Sequence, residues 1–443
     1  MSPDPNPSAD QASGYAYYVV AVLMVAYMFS FIDRMILSLV IDPVRQDLGL
    51  SETQVSLLVG FAFAMFYTLL GLPFGRWVDT RGRRNLIAFG IALWSLATIA
   101  CGLANGFARL FLARMTVGVG EATLTPAAYS LIPDYFPPRR LGLAMSLYTC
   151  GLTIGGGLAM LLGGMVVQWA TALQLTVPGL PHLRPWQVAF LVVGAPGLLV
   201  AALVALTVRE PPRRVQPGAD ADAPSLAEVF AYLRGNAGLF APLFLGFTAV
   251  VTASYSLNVW GPSYFMRVHG LTPLQVGQLF AVAFGVAGTV GVLAGGAWSD
   301  AAVRRGRTDA PLRVTLWSIL LQAPFVVGFG LLSETRLAGA AFVFAMLFGS
   351  MFGGLQAAAV QSLTPNRMRG QIGAIYLTLA NLIGLGIAPT LTALGTERLF
   401  GGATGVGRSI ALTAGVSLAL ASVLLAIAAA PARNRIRALQ GGT

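Results

Sequence analysis

Six hydrophobic runs, a polar linker and six more hydrophobic runs leave few folds open to this chain. The runs fall at about residues 15–41, 53–76, 85–105, 106–132, 141–168 and 186–208, then at 238–265, 274–299, 314–333, 336–362, 370–395 and 408–430. Each is close to or above the ~20 residues an α-helix needs to cross a bilayer. Inside hydrocarbon every backbone N–H and C=O must be satisfied within the segment, which runs of this length achieve as helices. Only 10% of the 443 residues are charged, against roughly 25% in soluble domains. The expectation is an all-α membrane protein of twelve transmembrane helices.

The polar stretches divide the chain further. Residues 1–14 read as a disordered cytoplasmic tail, 15–208 as an N-terminal six-helix bundle and 209–237 as a cytoplasmic linker. Residues 238–430 form the second six-helix bundle and 431–443 a cytoplasmic tail. Ser225 can cap a short amphipathic helix running to Arg234 on the membrane surface. All 28 basic residues are arginine, and with both termini inside, the inner loops hold 19 of them and the outer loops 7. That asymmetry predicts termini in the cytoplasm, and the expected location is the cell (inner) membrane as a multi-pass chain. The net charge of +11 therefore reflects topology, and nucleic acid is not an expected partner. The N-terminal tail has no basic region of the kind that opens a cleavable signal peptide. Cys101 and Cys150 both sit in hydrophobic runs and read as packing residues.

The two halves are related. An offset of 221 carries Gly49-Leu50-Ser51 onto Gly270-Leu271-Thr272, Gln54-Val55 onto Gln275-Val276, and Gly75, Trp77, Asp79 and Arg83-Arg84 onto Gly296, Trp298, Asp300 and Arg304-Arg305. Ser51 with Gln54, and Thr272 with Gln275, read as capping boxes opening the second helix of each half. A duplication of this kind predicts two six-helix pseudo-symmetric halves, the arrangement of the major facilitator fold.

Charge inside the runs is costly and normally faces a bundle interior or a water-filled path. The first run carries Asp33-Arg34, and the fourth carries Arg114 and Glu121, seven residues apart and so on nearly one helix face. Asp33 and Arg114 come to similar depth, which suggests an ion pair from Asp33 to Arg114 or Arg34 with Glu121 nearby. The alternative is that Asp33-Arg34 snorkels at the outer interface. The second half has Ser254 and Tyr255 at the places of Asp33 and Arg34, so the fold can be built without these charges. Burial and a nearby arginine move a carboxylate's proton affinity in opposite directions. A carboxylate whose arginine comes and goes would take up and release a proton in each cycle, which makes Asp33 and Glu121 proton-coupling candidates. Arg34 and Arg114 are then their charge partners or headgroup-binding residues.

Other features are weaker guides. Gly151, Gly155, Ala159 and Gly163 form a small-residue stripe for tight helix contact, similar to the antiporter motif of drug-exporting facilitators but with Gly156 where that motif has proline. Phe63, Tyr148, Asn258, Gln356, Tyr376 and Asn381 are candidates for lining a substrate cavity, or alternatively for packing between helices. No nucleotide-binding loop, metal-ligand cluster or nucleophile triad is found, and the two histidines, His182 and His269, fall in expected outer loops. No enzymatic activity, metal or cofactor is expected, with protons as the coupling ion.

The motif Gly75-Arg76-x-x-Asp79-x-x-x-Arg83-Arg84 resembles the signature loop of the major facilitator superfamily. In that family the aspartate helps latch the two halves, which would make Gly75, Arg76, Asp79 and Arg83, with Asp300 and Arg304 of the second copy, a conformational latch. Ala297 stands opposite Arg76, so the second copy lacks one arginine. Asp33-Arg34, Trp94-Ser95, Arg114 to Ala128, Asp134-Tyr-Phe-Pro137, Trp260-Gly-Pro262 and His269-Gly270 together resemble the Spinster branch over essentially the whole transmembrane chain. The resemblance implies a proton-coupled secondary transporter of a lysolipid- or sphingolipid-like amphiphile, working by a rocker-switch and expected to be a monomer. A proton-coupled drug or organic-anion carrier is the alternative, and a lipid-binding membrane protein without net transport is a third.

Overall fold

The computed structural model of the chain describes residues 14–80, 82–136, 138–173, 183–212, 224–307 and 309–440, with no strand among them. In the first half of the sequence, α1 (Gly14–Leu39) and the short α2 (Ile41–Leu48) precede α3 (Glu52–Ser56). A π-turn at Leu57–Phe61 then leads into α4 (Ala62–Thr80). Five more helices follow: α5 (Arg83–Gly102), α6 (Phe107–Glu121), α7 (Leu124–Tyr135), α8 (Pro138–Leu173) and α9 (Pro185–Thr207). Ser225 caps α10 (Leu226–Gly235) through a box with Glu228, as expected.

The second half opens with α11 (Ala237–His269), α12 (Pro273–Phe280), a π-turn at Ala281–Gly288 and α13 (Thr289–Arg304). Then come α14 (Ala310–Leu331), α15 (Thr335–Ser350), α16 (Leu355–Leu363), α17 (Arg369–Ala380), α18 (Ala388–Leu394) and α19 (Val406–Gln440). The last helix carries residues 431–440 of the expected tail as helix, in keeping with their alanines and arginines, which are good helix formers.

The duplicated turn is built the same way twice. Gly49 and Gly270 end their helices in the left-handed region, at φ 62° and 65°, a conformation glycine adopts without steric cost. Ser51 and Thr272 then open α3 and α12 with complete capping boxes to Gln54 and Gln275.

Eleven stretches of the described residues are long and apolar enough to cross a membrane. The twelfth expected crossing, 106–132, is split between α6 and α7 at Ala122-Thr123. Pro126 has no N–H to donate to the carbonyl of Ala122, and its ring crowds that carbonyl. Thr123 Oγ1 instead donates to the carbonyl of Gly120 at 2.8 Å. The break leaves Glu121 as the last residue of α6. Leu199, Leu206 and Leu293 are 74%, 84% and 67% exposed, the expected state of side chains that face lipid rather than water.

Contacts sort the chain into two compact units, Met1–Leu37 with Met65–Val215, and Ser38–Ala64 with Gln216–Thr443. In the first unit, α5 and α6 approach so closely that a Cβ on Gly120 would stand 2.8 Å from the Gly90 carbonyl and from Trp94. The glycine stripe of α8 serves packing: a Cβ on Gly151 would meet the Met24 carbonyl at 2.7 Å, and one on Gly155 the Cα of Met28 at 2.8 Å.

In the second unit, residues 38–64 lie against the second half of the sequence. Thr53 Oγ1 donates to Glu397 at 2.6 Å, and a Cβ on Gly60 would stand 2.5 Å from the Leu385 carbonyl. Arg267 ties the same elements together. Its Nε donates to Asp42 at 2.6 Å and its Nη1 to Glu52 at 2.7 Å, while its guanidinium lies 5.7 Å from the Trp260 ring.

Candidate functional site

The charged residues singled out in the first and fourth runs come together in the first unit. On α1, Ser30 and Arg34 are four residues apart and share a face, while Asp33 projects about 100° away from Arg34. On α6, Arg114 and Glu121 share a face two turns apart. Ser30 Oγ donates to Glu121 Oε2 at 2.6 Å, and Arg34 Nε donates to the same oxygen at 2.5 Å. Arg114 Nη1 donates to the main-chain carbonyl of Asp33 at 3.3 Å. Asp33, Arg114 and Glu121 are 2%, 1% and 1% exposed, so none of them snorkels to an interface. The sequence pointed to an ion pair from Asp33 to Arg114 or Arg34; the structure pairs Arg34 with Glu121 and takes Arg114 to the main-chain carbonyl of Asp33.

Two acids and two bases make this buried cluster formally neutral, the condition under which charge is tolerated in a membrane interior. One oxygen of each carboxylate, Asp33 Oδ1 and Glu121 Oε1, is buried without a hydrogen-bond partner. Aromatic rings border the cluster: the Arg34 guanidinium lies 4.5 Å from the centre of the Tyr67 ring and 5.6 Å from that of Phe31. Tyr148 is fully buried, stacks on Tyr27 at 4.8 Å and meets Tyr129 edge-on.

The remaining cavity candidates lie in the second unit. Tyr376 donates through its hydroxyl to Gln356, and its ring packs against Phe244 and Phe247. Asn258 and Asn381 are half-buried, and Asn381 opens the π-turn Asn381–Ile387. Phe63 is buried in α4. These five belong to the second unit, whereas Asp33, Glu121 and Tyr148 belong to the first.

Of the signature loop, Gly75, Arg76 and Asp79 fall in the last turns of α4, and their side chains lie outside the described residues. Arg83 is buried. Its Nε donates to Glu210 at 2.7 Å, its Nη1 to Asp134 and to the carbonyl of Ser130, and its Nη2 to the carbonyl of Pro211. Glu210 also accepts from the backbone N–H of Arg84 at 2.8 Å, placing a carboxylate at the positive end of α5. In the second copy Asp300 and Arg304 are both exposed. The repeat in the sequence is thus not a repeat in environment. Ser30 and Glu210 were not singled out from the sequence; the i–4 spacing of Ser30 from Arg34 was the one available signal.

The family model described as Major Facilitator Superfamily matches residues 23–389. The chain belongs to that superfamily, whose members are membrane transporters and not enzymes. Within it the chain is Spinster-like. It superposes on the crystal structure of a bacterial homologue of the human lysosomal transporter Spinster, in an inward-facing and occupied conformation, with a TM-score of 0.79 at 27% identity, over 96% of this chain and 98% of that one. Protein spinster homolog 1 of Homo sapiens is 32% identical over 272 residues, which are 59% of this chain and 48% of that protein. An MFS-type efflux pump of Mycolicibacterium smegmatis is 27% identical over 431 residues, covering 95% of this chain and 94% of the pump.

Proposed function

We propose that this transporter moves a lysolipid- or sphingolipid-like amphiphile by rocker-switch alternating access, coupled to protons through Asp33 and Glu121. The observation that carries this reading is the buried neutral cluster in which Glu121 holds Ser30 and Arg34 on one oxygen and leaves the other vacant. A proton arriving at that carboxylate weakens its hold on Arg34, because a charge-assisted bond becomes a neutral one. The released guanidinium, flanked by Tyr67 and Phe31, is suited to an anionic headgroup, and the rings suit the apolar body next to it. Arg114, which donates to the main-chain carbonyl of Asp33, is the second candidate for the headgroup. In this reading the chain works as a monomer in the inner membrane with both termini in the cytoplasm. Arg83 holds the cytoplasmic end of its half together, and Asp79 and Asp300 complete the latch.

A second reading, a proton-coupled carrier of drugs or organic anions, draws support from the efflux pump that matches nearly the full length of the chain. Uptake into proteoliposomes under an imposed pH gradient tests both. Lysophosphatidylcholine and sphingosine-1-phosphate are expected to accumulate in a gradient-dependent way, and Asp33→Asn and Glu121→Gln to abolish the dependence. Gradient-driven flux of a soluble organic anion with none of the lipids would establish the second reading instead. Lipid flux indifferent to pH in the parent would refute the coupling.

A further inference from the structure

The arginines of the second unit hold a site that the transport proposal does not use. Asp309 stands just before α14, and its Oδ2 accepts from Arg313 Nε at 2.8 Å while Arg433 Nε of α19 lies 3.9 Å away. Asp309 is 7% exposed, whereas both arginine side chains are 44% exposed. Among the described residues Arg313 has no hydrogen-bond partner other than Asp309, and Arg433, at 3.9 Å from it, is beyond hydrogen-bond distance, so their Nη groups are available as donors. Two guanidiniums against one carboxylate leave a surplus of one positive charge.

This pair heads a cavity of about 420 Å³ between α14 and α19. Trp317 and Leu320, 54% and 53% exposed, form one wall, and Ala426 and Ala429 form a shallow floor on α19. From Arg433 to Ser422 at its far end the groove runs eleven residues, about 16 Å at 1.5 Å per residue. That is roughly half of a ~30 Å hydrocarbon core, the depth of a single leaflet. A soluble anion needs the arginines but not the groove. Scattered lipid contact needs neither two arginines nor a tryptophan at the interface. Snorkelling accounts for one arginine reaching the headgroup level, but not for two from distant parts of the chain meeting on one buried acid.

We infer that this cavity binds an anionic phospholipid, its phosphate held by Arg313 and Arg433 and one acyl chain laid along Trp317, Leu320 and the small residues of α19. Basic pockets between transmembrane helices recognise anionic headgroups in this way. The lipid is a resident of the protein's outer surface and not its cargo. Asp309 draws the two guanidiniums to one place and limits their affinity for the phosphate by competing for them.

Native mass spectrometry of the full chain in detergent tests this, with dioleoylphosphatidylglycerol and dioleoylphosphatidylcholine added at equal concentration. The parent is expected to retain the anionic lipid in clear preference. Arg313→Gln with Arg433→Gln is expected to lose that retention by roughly tenfold or more, and Asp309→Asn to increase it. The increase is a direction that general loss of structure does not produce. Should the double variant fail to fold, Trp317→Ala, which removes a wall and no charge, must still lower retention of the phosphatidylglycerol. Equal retention of the two lipids, unchanged retention in the arginine or tryptophan variant, no increase in Asp309→Asn, or displacement of the lipid by inorganic phosphate would each overturn the inference. The readout involves no transport, so its failure leaves the proposal for Asp33 and Glu121 where it stood.

Discussion

Arg34 and Glu121 offer the sharpest test of the buried cluster, because each can be removed alone or together. The Glu121 side chain is 0% exposed and that of Arg34 12%, so Glu121 is enclosed and Arg34 largely so. Removing one member of a buried pair typically costs ~3–5 kcal/mol, since an uncompensated charge is left in low dielectric. Replacing both by neutral isosteres removes the uncompensated charge and is often close to neutral. Arg34→Gln leaves a fully buried carboxylate, which keeps the short bond from Ser30 but loses its countercharge. Glu121→Gln leaves a guanidinium that still has the Tyr67 and Phe31 rings beside it, and a cation over a ring is stabilised by ~0.5–2 kcal/mol. Arg34→Gln is therefore expected to be the more damaging single change, at the upper end of that range, and Glu121→Gln to fall lower. The double variant should recover most of the loss, giving a coupling of ~2 kcal/mol or more, well above the few tenths expected of independent sites. The assay is thermal unfolding in detergent for all four proteins, followed by intrinsic fluorescence at one pH. Losses that simply add, leaving the double variant as poor as the two single changes summed, would show that the pair is not the interacting unit and would remove the basis for coupling through Glu121.

The hub around Arg83 should behave unevenly: Arg83→Gln is expected to cost ~3 kcal/mol by stranding Asp134, which is 10% exposed, whereas Glu210→Gln should cost well under half as much because Glu210 is a third exposed and rehydrates. Thermal unfolding checks the order, and a larger effect at Glu210 would refute it. Arg267→Gln removes the link from Asp42 and Glu52 to α11, so hydrogen exchange in α2 and α3 is expected to accelerate at least tenfold. Unchanged protection there would show that Thr53–Glu397 and the close approach of Gly60 hold the segment by themselves.

The sequence by itself determined the number of crossings, their duplication and the caps that start them, because these rest on interactions within a few residues. Run length against membrane thickness sets the helices, and the turn from Gly49 to Gln54 is repeated from Gly270 to Gln275 since each carries its own left-handed glycine and capping box. That Asp33, Arg34, Arg114 and Glu121 belong to one buried site was also legible, from the cost of charge in hydrocarbon. What periodicity could not supply was which arginine meets which acid. A rotation of α1 by one residue, 100°, exchanges Asp33 for Arg34 at the α6 interface, and α1 is packed closely by Gly151 and Gly155 of α8. The split at Ala122-Thr123 follows from Pro126, yet run length alone joined the two pieces. Only the tertiary structure placed residues 38–64 with the second half through Arg267, buried Arg83 while leaving Arg304 exposed, and set Arg313 and Arg433 on one carboxylate. Each of these depends on how distant helices are turned and staggered against one another, which is decided by the sum of many packing contacts and by no local pattern.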